Sequence, residues 1–317
     1  MDYQSSGVNI QAGNKAVDSI KAQVESTHNA EVLGGLGGFA AAYDISQLQY
    51  KEPVIVSCTD GVGTKLHIAI QENKLATVGI DLVAMSVNDL LCTGANPLFF
   101  LDYYACHQLE PEQVKEVVKG ICEGCKQSAL ALVGGEMAEM GSMYKKNDFD
   151  LAGFACGIVE KSKLLKGSHI NEGDYLYALP SAGFHSNGYS LIRNVLETYP
   201  EAKNKIGLEA LLEPTRIYTT QCKKLLKQFP SIVAFAHITG GGLNENIQRL
   251  LNDGLKVDID KKKIRVLECF RTLQKIGKIH EEEMWKVFNM GVGMVIISSE
   301  KLPDDRDYYP IGRIAKG

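Results

Sequence analysis

The strongest constraint on the fold is a loose alternation of short apolar runs with amphipathic helical stretches along the 317 residues. Apolar runs bounded by turn residues predict strands, and apolar positions three and four residues apart predict helices. Alternating strands and helices pack as layers around a hydrophobic core, so the sequence predicts an α+β class built from α/β layers. In the first half the predicted strands are 53–57, 97–105, 129–133 and 151–159, and the predicted helices are 79–92 and one that opens at Pro111.

A polar stretch rich in lysine and glycine, 161–173, divides the chain into two parts. A chain of this length corresponds to about two domains. We therefore predict a first domain over residues 1–166 and a second over residues 167–317. In the second, the predicted strands are 175–179, 232–238, 255–259, 292–298 and 309–314, and the predicted helices are 190–198, 214–228 and 243–252.

Charge and composition exclude several classes of protein. The net charge of −4 and the scattered lysines and arginines provide no basic patch for a nucleic acid. No apolar run approaches the roughly 20 residues of a membrane helix, and the N-terminus lacks the pattern of a signal peptide. We therefore expect a cytoplasmic protein that binds neither nucleic acid nor membrane. The cysteines, including the pair Cys122 and Cys125, are expected to be packed thiols rather than disulfides or metal ligands.

A glycine-rich segment at 34–38 lacks the context of a known nucleotide-binding fingerprint. Its GxGxxA spacing marks a dinucleotide site only between a strand and a helix, whereas the preceding residues 24–31 are polar. The sequence also contains no GxxxxGK[ST] phosphate-binding loop. Two interpretations stay open: a flexible surface loop, or a mobile lid whose backbone N–H groups approach a phosphate closely.

A second motif, at 59–65, follows a strand that we expect to be buried. Loops at strand ends often carry function because a rigid scaffold positions them. Asp60 can hold Mg²⁺ through a hard oxygen, and Lys65 can meet a phosphate oxygen. An ordinary strand-to-loop turn is the alternative. The remaining small residues of the motif are Gly61, Gly63 and Thr64.

Further acids lie near the ends of predicted elements. In the helix predicted at 79–92, Asp81 and Asn88 are seven residues apart and stack on one side, with Asp89 rotated further round. Glu136 follows two glycines at the end of a predicted strand, and Asp150 begins another. Together with Asp60 of the preceding motif, these oxygen ligands predict a Mg²⁺ site. A solvated helix face is the alternative.

The second part contains two glycine-bearing segments between a strand and a helix. The segment 181–188 suits a helix start, where backbone N–H groups attract anions, and its His185 is a candidate phosphate ligand or proton shuttle. A structural histidine is the alternative. The segment 239–242 has three successive glycines, which suit close approach to a phosphate or form a loose turn. Two anion sites beside a metal site predict two phosphorylated ligands, a nucleotide and a substrate monophosphate.

Ten longer runs carry a resemblance to the phosphoribosylformylglycinamidine cyclo-ligases, the family that closes the imidazole ring in purine synthesis. The runs follow one order across nearly the whole chain, which separates it from relatives of the same fold such as thiamine-monophosphate kinase. They are LGGLGGF at 33–39, TDGVGTKL at 59–66, VGIDLVAMSVNDLL at 78–91, GANPLFFLDYYA at 94–105, GGEMAEM at 134–140, DLAGFACGIVEKS at 150–162, HSNGYSLIR at 185–193, PTRIY at 214–218, HITGGG at 237–242 and FNMGVGM at 288–294.

The resemblance implies a two-domain fold, in which an N-terminal mixed sheet with helices pairs with a second copy into a barrel and a C-terminal α/β sandwich follows. It implies a homodimer that converts formylglycinamidine ribonucleotide to 5-aminoimidazole ribonucleotide with ATP and Mg²⁺. It also implies residue roles. These are Lys21, Gly34, Gly35, Gly37, Gly38, Asp60, Gly61, Gly63, Thr64, Asp81 and Asn88 for the nucleotide; Asp60, Asp81, Asp89 and Glu136 for metal; Ser186, Asn187, Gly240, Gly241 and Gly242 for the substrate; and Asp60, Lys65 and His185 for catalysis.

Some positions depart from the family pattern. Met137 stands where threonine is usual, Gly141 where proline is common, and Ala182 where a second serine is usual. The C-terminus also lacks a helix between the last two predicted strands. Two other functions stay open: a kinase-like relative that releases a stable phosphorylated product, and a nucleotide-binding scaffold without activity.

Overall fold

The computed structural model describes residues 10–317, and these divide into two units. Unit 1 consists of the described residues up to Leu90 together with Asn96–Lys161. Unit 2 consists of Leu91–Ala95 together with Ser162–Gly317. The division thus falls at 161/162, inside the polar stretch and slightly before the predicted 166/167.

Unit 1 contains a four-stranded mixed sheet with helices packed on it. Its elements are α1 (Ile10–Glu25), β1 (Val32–Leu33), β2 (Ala42–Tyr43), β3 (Pro53–Gly61), α2 (Lys65–Gln71), α3 (Ala76–Cys92, whose last two residues belong to unit 2), β4 (Asn96–Cys106), α4 (Pro111–Ser128), β5 (Ala131–Glu139) and β6 (Phe149–Glu160). The strand order is β3-β6-β4-β5, with β4 and β5 parallel and the other pairs antiparallel. The predicted α+β class with a mixed N-terminal sheet is confirmed.

Glycines allow α3 to approach both α4 and the sheet. A Cβ at Gly79 would overlap the backbone of α4, and a Cβ at Gly120 would overlap the carbonyl oxygen of Ala76. On the sheet side, a Cβ at Gly153 would press on Leu82. Because both neighbours come this close, residues 81–88 of α3 are buried on every side.

Unit 2 is built on a five-stranded antiparallel sheet. Its elements are β7 (Tyr175–Pro180), α5 (Tyr189–Thr198), α6 (Glu201–Ile206), α7 (Leu208–Leu212), α8 (Thr219–Gln228), β8 (Ile232–His237), α9 (Gly242–Gln248), β9 (Leu255–Ile259), α10 (Glu268–Gly277), α11 (Glu281–Val287), β10 (Val292–Ser298) and β11 (Tyr309–Lys316). The strand order is β8-β10-β7-β11-β9. Strand β10 is buried at every residue, which accounts for its continuous apolar run.

The main differences from the sequence prediction concern where elements begin and end. The strand predicted at 53–57 continues to Gly61, and as an edge strand it alternates exposed and half-buried residues, so the expectation of a buried strand is wrong. The strand predicted at 129–133 extends to Glu139 because pairing with β4 continues past its glycines. The helix predicted at 214–228 begins only at Thr219. Short helices α6, α7, α10 and α11 were not predicted, whereas residues 299–308 form no helix, as expected.

The glycine contact between α3 and α4 generates the first prediction. Gly120→Ala drives a methyl group into the carbonyl of Ala76, and overpacking of this kind costs about 1–3 kcal/mol of unfolding free energy. Gly13→Ala is the matched helical control, because a Cβ there meets Leu109 at an ordinary 3.9 Å. Denaturant unfolding should show a lower free energy of unfolding for Gly120→Ala and no loss for Gly13→Ala. Equal stability of the two variants would contradict the close contact.

Candidate active site

A cavity of about 590 Å³ lies in unit 1 beside the edge strand β5. A volume of this size accommodates a small-molecule ligand. Apolar side chains of α1 and α4 form one wall, strands β4 and β5 form another, and the glycine-rich loop closes the third. The lining residues include Val17, Ile20, Val24, Gly35, Gly37, Gly38, Asp102, Val114, Val118, Gly135 and Glu136.

The glycine-rich loop joins β1 to β2, which pair as a small antiparallel hairpin. It is therefore not the strand-to-helix turn of a dinucleotide fold, and the rejection of that fold is confirmed. Gly34 and Gly37 have φ values of 107° and 100°, which favour glycine. A Cβ at Gly34, Gly35 or Gly37 would meet no atom within 4 Å, so the loop backbone faces open space.

Lys21 lies on the exposed surface of α1. It is four residues after Val17 and three before Val24, both of which line the cavity, so it lies on the same side of the helix. The cavity thus brings together α1, the glycine-rich loop and Glu136 from three distant stretches of sequence, while Lys21 is exposed on the side of α1 that faces it.

Asp102 in the cavity was missed by the sequence reasoning. Burial raises the pKa of this carboxyl to about 7. In the sequence it appears inside an aromatic, strand-like run, LFFLDYYA, where a single acid at an alternating position carries no separate signal.

Lys65 occupies a different place from the one predicted. Lys65 is the first residue of α2, and its side chain is fully buried. Its Nζ lies 2.7 Å from Oδ2 of the equally buried Asp81. Lys65 therefore does not reach out to a phosphate in this structure, and burial excludes the alternative that Asp81 lies on a solvated helix face. Asn88 is also fully buried on α3. The preceding turn passes through Gly63, with φ of 71°, and Thr64.

Asp60 and Asp89 both lie near Cys58. The pKa of the Cys58 thiol is raised to about 12, mainly by burial and to a smaller extent by the charges of Asp89 and Asp60. Asp60 also accepts the N–H of Gly61 at 2.7 Å, at the last residue of β3. Both carboxylates therefore lie close to Cys58, at the β3 edge of the sheet.

Glu136 lies at the opposite edge of the sheet from Asp60. Asp60 pairs with Gly153, Gly153 with Asp102, and Asp102 with Gly135, which is three strand spacings or roughly 14 Å. Among residues 10–317, no three His, Cys, Asp or Glu side chains lie close enough to hold a metal ion. The predicted four-carboxylate cluster is therefore not formed within one chain. Two carboxylates such as Asp60 and Asp89 fit Mg²⁺, which usually completes its shell with waters and phosphate oxygens.

In unit 2, His185 is fully buried rather than exposed in its loop. Its Nε2 accepts the backbone N–H groups of Ala182 at 3.1 Å and Arg216 at 3.4 Å. Its backbone has a φ of 60°, a conformation uncommon outside glycine and asparagine. These contacts favour the alternative of a structural histidine, because the ring supports the loop from within.

The two glycine-bearing segments of unit 2 contact each other. Oδ1 of Asn187 accepts the N–H of Gly240 at 3.0 Å, and Ser186 hydrogen-bonds Thr215 at 3.0 Å. Gly241 and Gly242 have φ values of 96° and 65°, and the Gly242 N–H is donated to Thr239 O at 3.2 Å. Two of the three glycine N–H groups are thus used inside the protein. The predicted substrate residues nevertheless form one cluster.

Comparison with protein-family models matches both parts of the chain. Residues 37–159 match the N-terminal domain of AIR synthase related proteins, and residues 171–306 match their C-terminal domain. The chain belongs to this family. Two solved structures share the fold. Hydrogenase maturation protein HypE in complex with ATP has a TM-score of 0.70 and 14% identity, over 98% of this chain and 89% of that one. AaThiL complexed with AMPPCP and TMP has a TM-score of 0.63 and 18% identity, over 100% of this chain and 93% of that one.

Full-length relatives are much closer in sequence. The phosphoribosylformylglycinamidine cyclo-ligases of Streptococcus pneumoniae serotype 4 and Streptococcus agalactiae serotype V are each 48% identical to this chain, over 99% of its length and 96% of theirs. The resemblance drawn from the sequence motifs is therefore confirmed. Of the helices that the structure describes, none has both the length and the apolar character required to cross a bilayer.

The buried ion pair generates the second prediction. Lys65→Met leaves the Asp81 carboxylate without its closest cation, and breaking such a pair costs about 3–5 kcal/mol. Lys65→Met combined with Asp81→Leu should recover much of this loss, because no charge is then left buried. Urea unfolding measures both effects, with Lys119→Met as the control at an exposed surface pair. Unchanged stability with lost nucleotide affinity would instead restore the phosphate role of Lys65.

Proposed function

We propose that the protein catalyses the ATP-dependent closure of formylglycinamidine ribonucleotide to 5-aminoimidazole ribonucleotide, releasing ADP and phosphate. The observation that carries this proposal is the 48% identity, over 99% of the chain, to relatives named for that reaction. The cavity in unit 1 and the loop cluster in unit 2 support it, because they provide places for two ligands.

The reaction needs phosphoryl transfer because an amide oxygen is a poor leaving group. The formyl oxygen of the substrate attacks the γ-phosphorus of ATP, and ADP departs. The ring-closing nitrogen then attacks the activated carbon, the C–O bond breaks, and phosphate leaves with the oxygen. Such chemistry depends mainly on positioning and on neutralising charge.

We assign Asp60 and Asp89 to the metal–phosphate region, since Mg²⁺ bound there would neutralise the charge that develops on the transferred phosphoryl group. Lys21, Glu136 and the glycine-rich loop are assigned to nucleotide binding around the cavity. The buried residues Lys65, Asp81, Asn88 and His185 are assigned to positioning the segments that carry these groups. Ser186, Asn187 and Gly240–Gly242 are assigned to the substrate.

We also propose a homodimer formed through unit 1. The odd-numbered residues of β3 point away from α3, and Ile55 among them is 55% exposed. Phe154 on the neighbouring β6 is 43% exposed and pairs with Thr59, so it belongs to the same face. An apolar face at a sheet edge is typical of a subunit interface. A cytoplasmic location is proposed with it, supported by the eight free cysteines.

The activity test combines pure protein, ATP, Mg²⁺ and formylglycinamidine ribonucleotide. We expect 5-aminoimidazole ribonucleotide and ADP in equal amounts, measured by chromatography. Asp60→Asn should lower turnover by about 100-fold or more, because it weakens the hold on the Mg²⁺ that would neutralise the transition-state charge. Asp253→Asn, at an exposed turn, is the control. A stable phosphorylated product without ring closure would identify a kinase instead.

The interface test uses Ile55→Asp. A two-fold interface contains each substitution twice, so one added carboxylate per chain places two charges in an apolar contact. We expect light scattering to report a monomer for this variant and a dimer for the wild type. Met143→Asp, at a loop residue that is 75% exposed, should remain dimeric. A monomeric wild type would refute the proposed dimer.

A further inference from the structure

Asp102 is a carboxylate to which the proposed mechanism gives no role. It lies on β4 and lines the cavity of unit 1. Glu136, the other charged residue of the described lining, is exposed at the rim, whereas Asp102 is largely surrounded by protein and remains partly accessible from the cavity. Asp102 is therefore the charged group of the inner wall.

The neighbouring strand leaves room for this carboxylate. Gly135 pairs with Asp102, and a Cβ at Gly135 would overlap Oδ1 of Asp102. The side chain of Asp102 thus leans across β5 towards the cavity, and this requires glycine at position 135. Burial is also the main cause of its raised pKa of about 7, so the carboxyl carries a proton during part of the time near neutral pH.

The remaining lining selects for a flat apolar group rather than for a phosphate. No lysine or arginine is among the described lining residues, so the cavity itself offers no cation to a phosphoryl group. Val17, Ile20 and Val24 of α1 face the strands across it, and Val118 of α4 completes this side. Such walls suit the faces of a heteroaromatic ring, with the carboxyl meeting its polar edge.

We propose that Asp102 binds the 6-amino group of the adenine ring of ATP in this cavity and so determines the preference for adenine nucleotides. The inference rests on the proposed use of ATP. One carboxyl oxygen accepts an amino N–H, and the protonated oxygen donates to the adjacent ring nitrogen. Guanine presents a carbonyl oxygen and a ring N–H at these two positions, so neither bond forms in this arrangement. The glycine-rich loop at the cavity mouth leaves backbone for the sugar and phosphates.

The test compares ATP with purine riboside triphosphate, which lacks only the 6-amino group. Binding of each nucleotide is measured by calorimetry without the second substrate, so the result does not depend on ring closure. The wild type should bind ATP about 10- to 100-fold more tightly, the usual effect of one buried hydrogen bond. Asp102→Leu should weaken ATP binding by a similar factor. The ratio of the affinity for ATP to the affinity for purine riboside triphosphate should then fall to about 1.

Asp102→Asn separates hydrogen bonding from charge. An amide also accepts from the 6-amino group and donates to the neighbouring ring nitrogen, so this variant should keep most of the preference. If Asn reduced the ratio as fully as Leu, a cation-binding role would replace the proposal. Glu116→Leu, on the exposed surface of α4, should leave the ratio unchanged.

The outcomes distinguish this inference from the proposed reaction. A wild type that binds both nucleotides equally overturns the role of Asp102 even if no variant folds, and so does an Asp102→Leu variant with an unchanged ratio. Ring closure by that same wild type would leave the proposed function intact. A ratio that collapses in Asp102→Leu without any ring closure would support the adenine contact and refute the reaction.

Discussion

The structure of unit 1 depends on the close approach of α3 to its neighbours. At Gly79 and Gly120 the two helices meet almost backbone to backbone, and at Gly153 the sheet leaves room for the side chains of Leu82 and Phe100. The polar side chains of Asp81, Ser86 and Asn88 on α3 are consequently buried. Lys65 meets Asp81 at 2.7 Å in this interior, where a charge is tolerated only when it is paired. The pair fixes the start of α2, and with it the turn that follows Asp60.

The strand order determines what the carboxylates can do. With β3 and β5 at opposite edges, one chain holds Asp60 and Asp89 near Cys58 at one edge and a separate cavity beside Glu136 at the other. Met137, which stands where the family usually has threonine, lines that cavity. Its long apolar side chain makes the wall less polar than a threonine would. The division suits an enzyme that binds the base of a nucleotide and its phosphates with different chemistry.

Buried polar side chains shape the loops of unit 2. Asn289 donates to Gly183 O at 2.9 Å and accepts the Ser181 hydroxyl at 2.9 Å, while His185 holds the backbone of Ala182. Because Ala182 contributes its N–H and not its side chain, the absence of a serine hydroxyl there does not disturb this contact. The loops are thereby rigid enough to present Ser186 and Asn187 in fixed positions.

Local pattern alone determined the α+β class, most element positions and the family, because apolar periodicity and long motifs are properties of neighbouring residues. It also identified the residues that carry polar chemistry in both units. Only the tertiary structure decided which of them are buried and which line a cavity. Lys65, Asp81 and His185 look like ligand-binding residues in the sequence and are core residues in the fold, whereas Asp102 looks like part of a strand and lines a cavity. The physical reason is that burial depends on which segments pack across the sheet, and residues distant in sequence decide that.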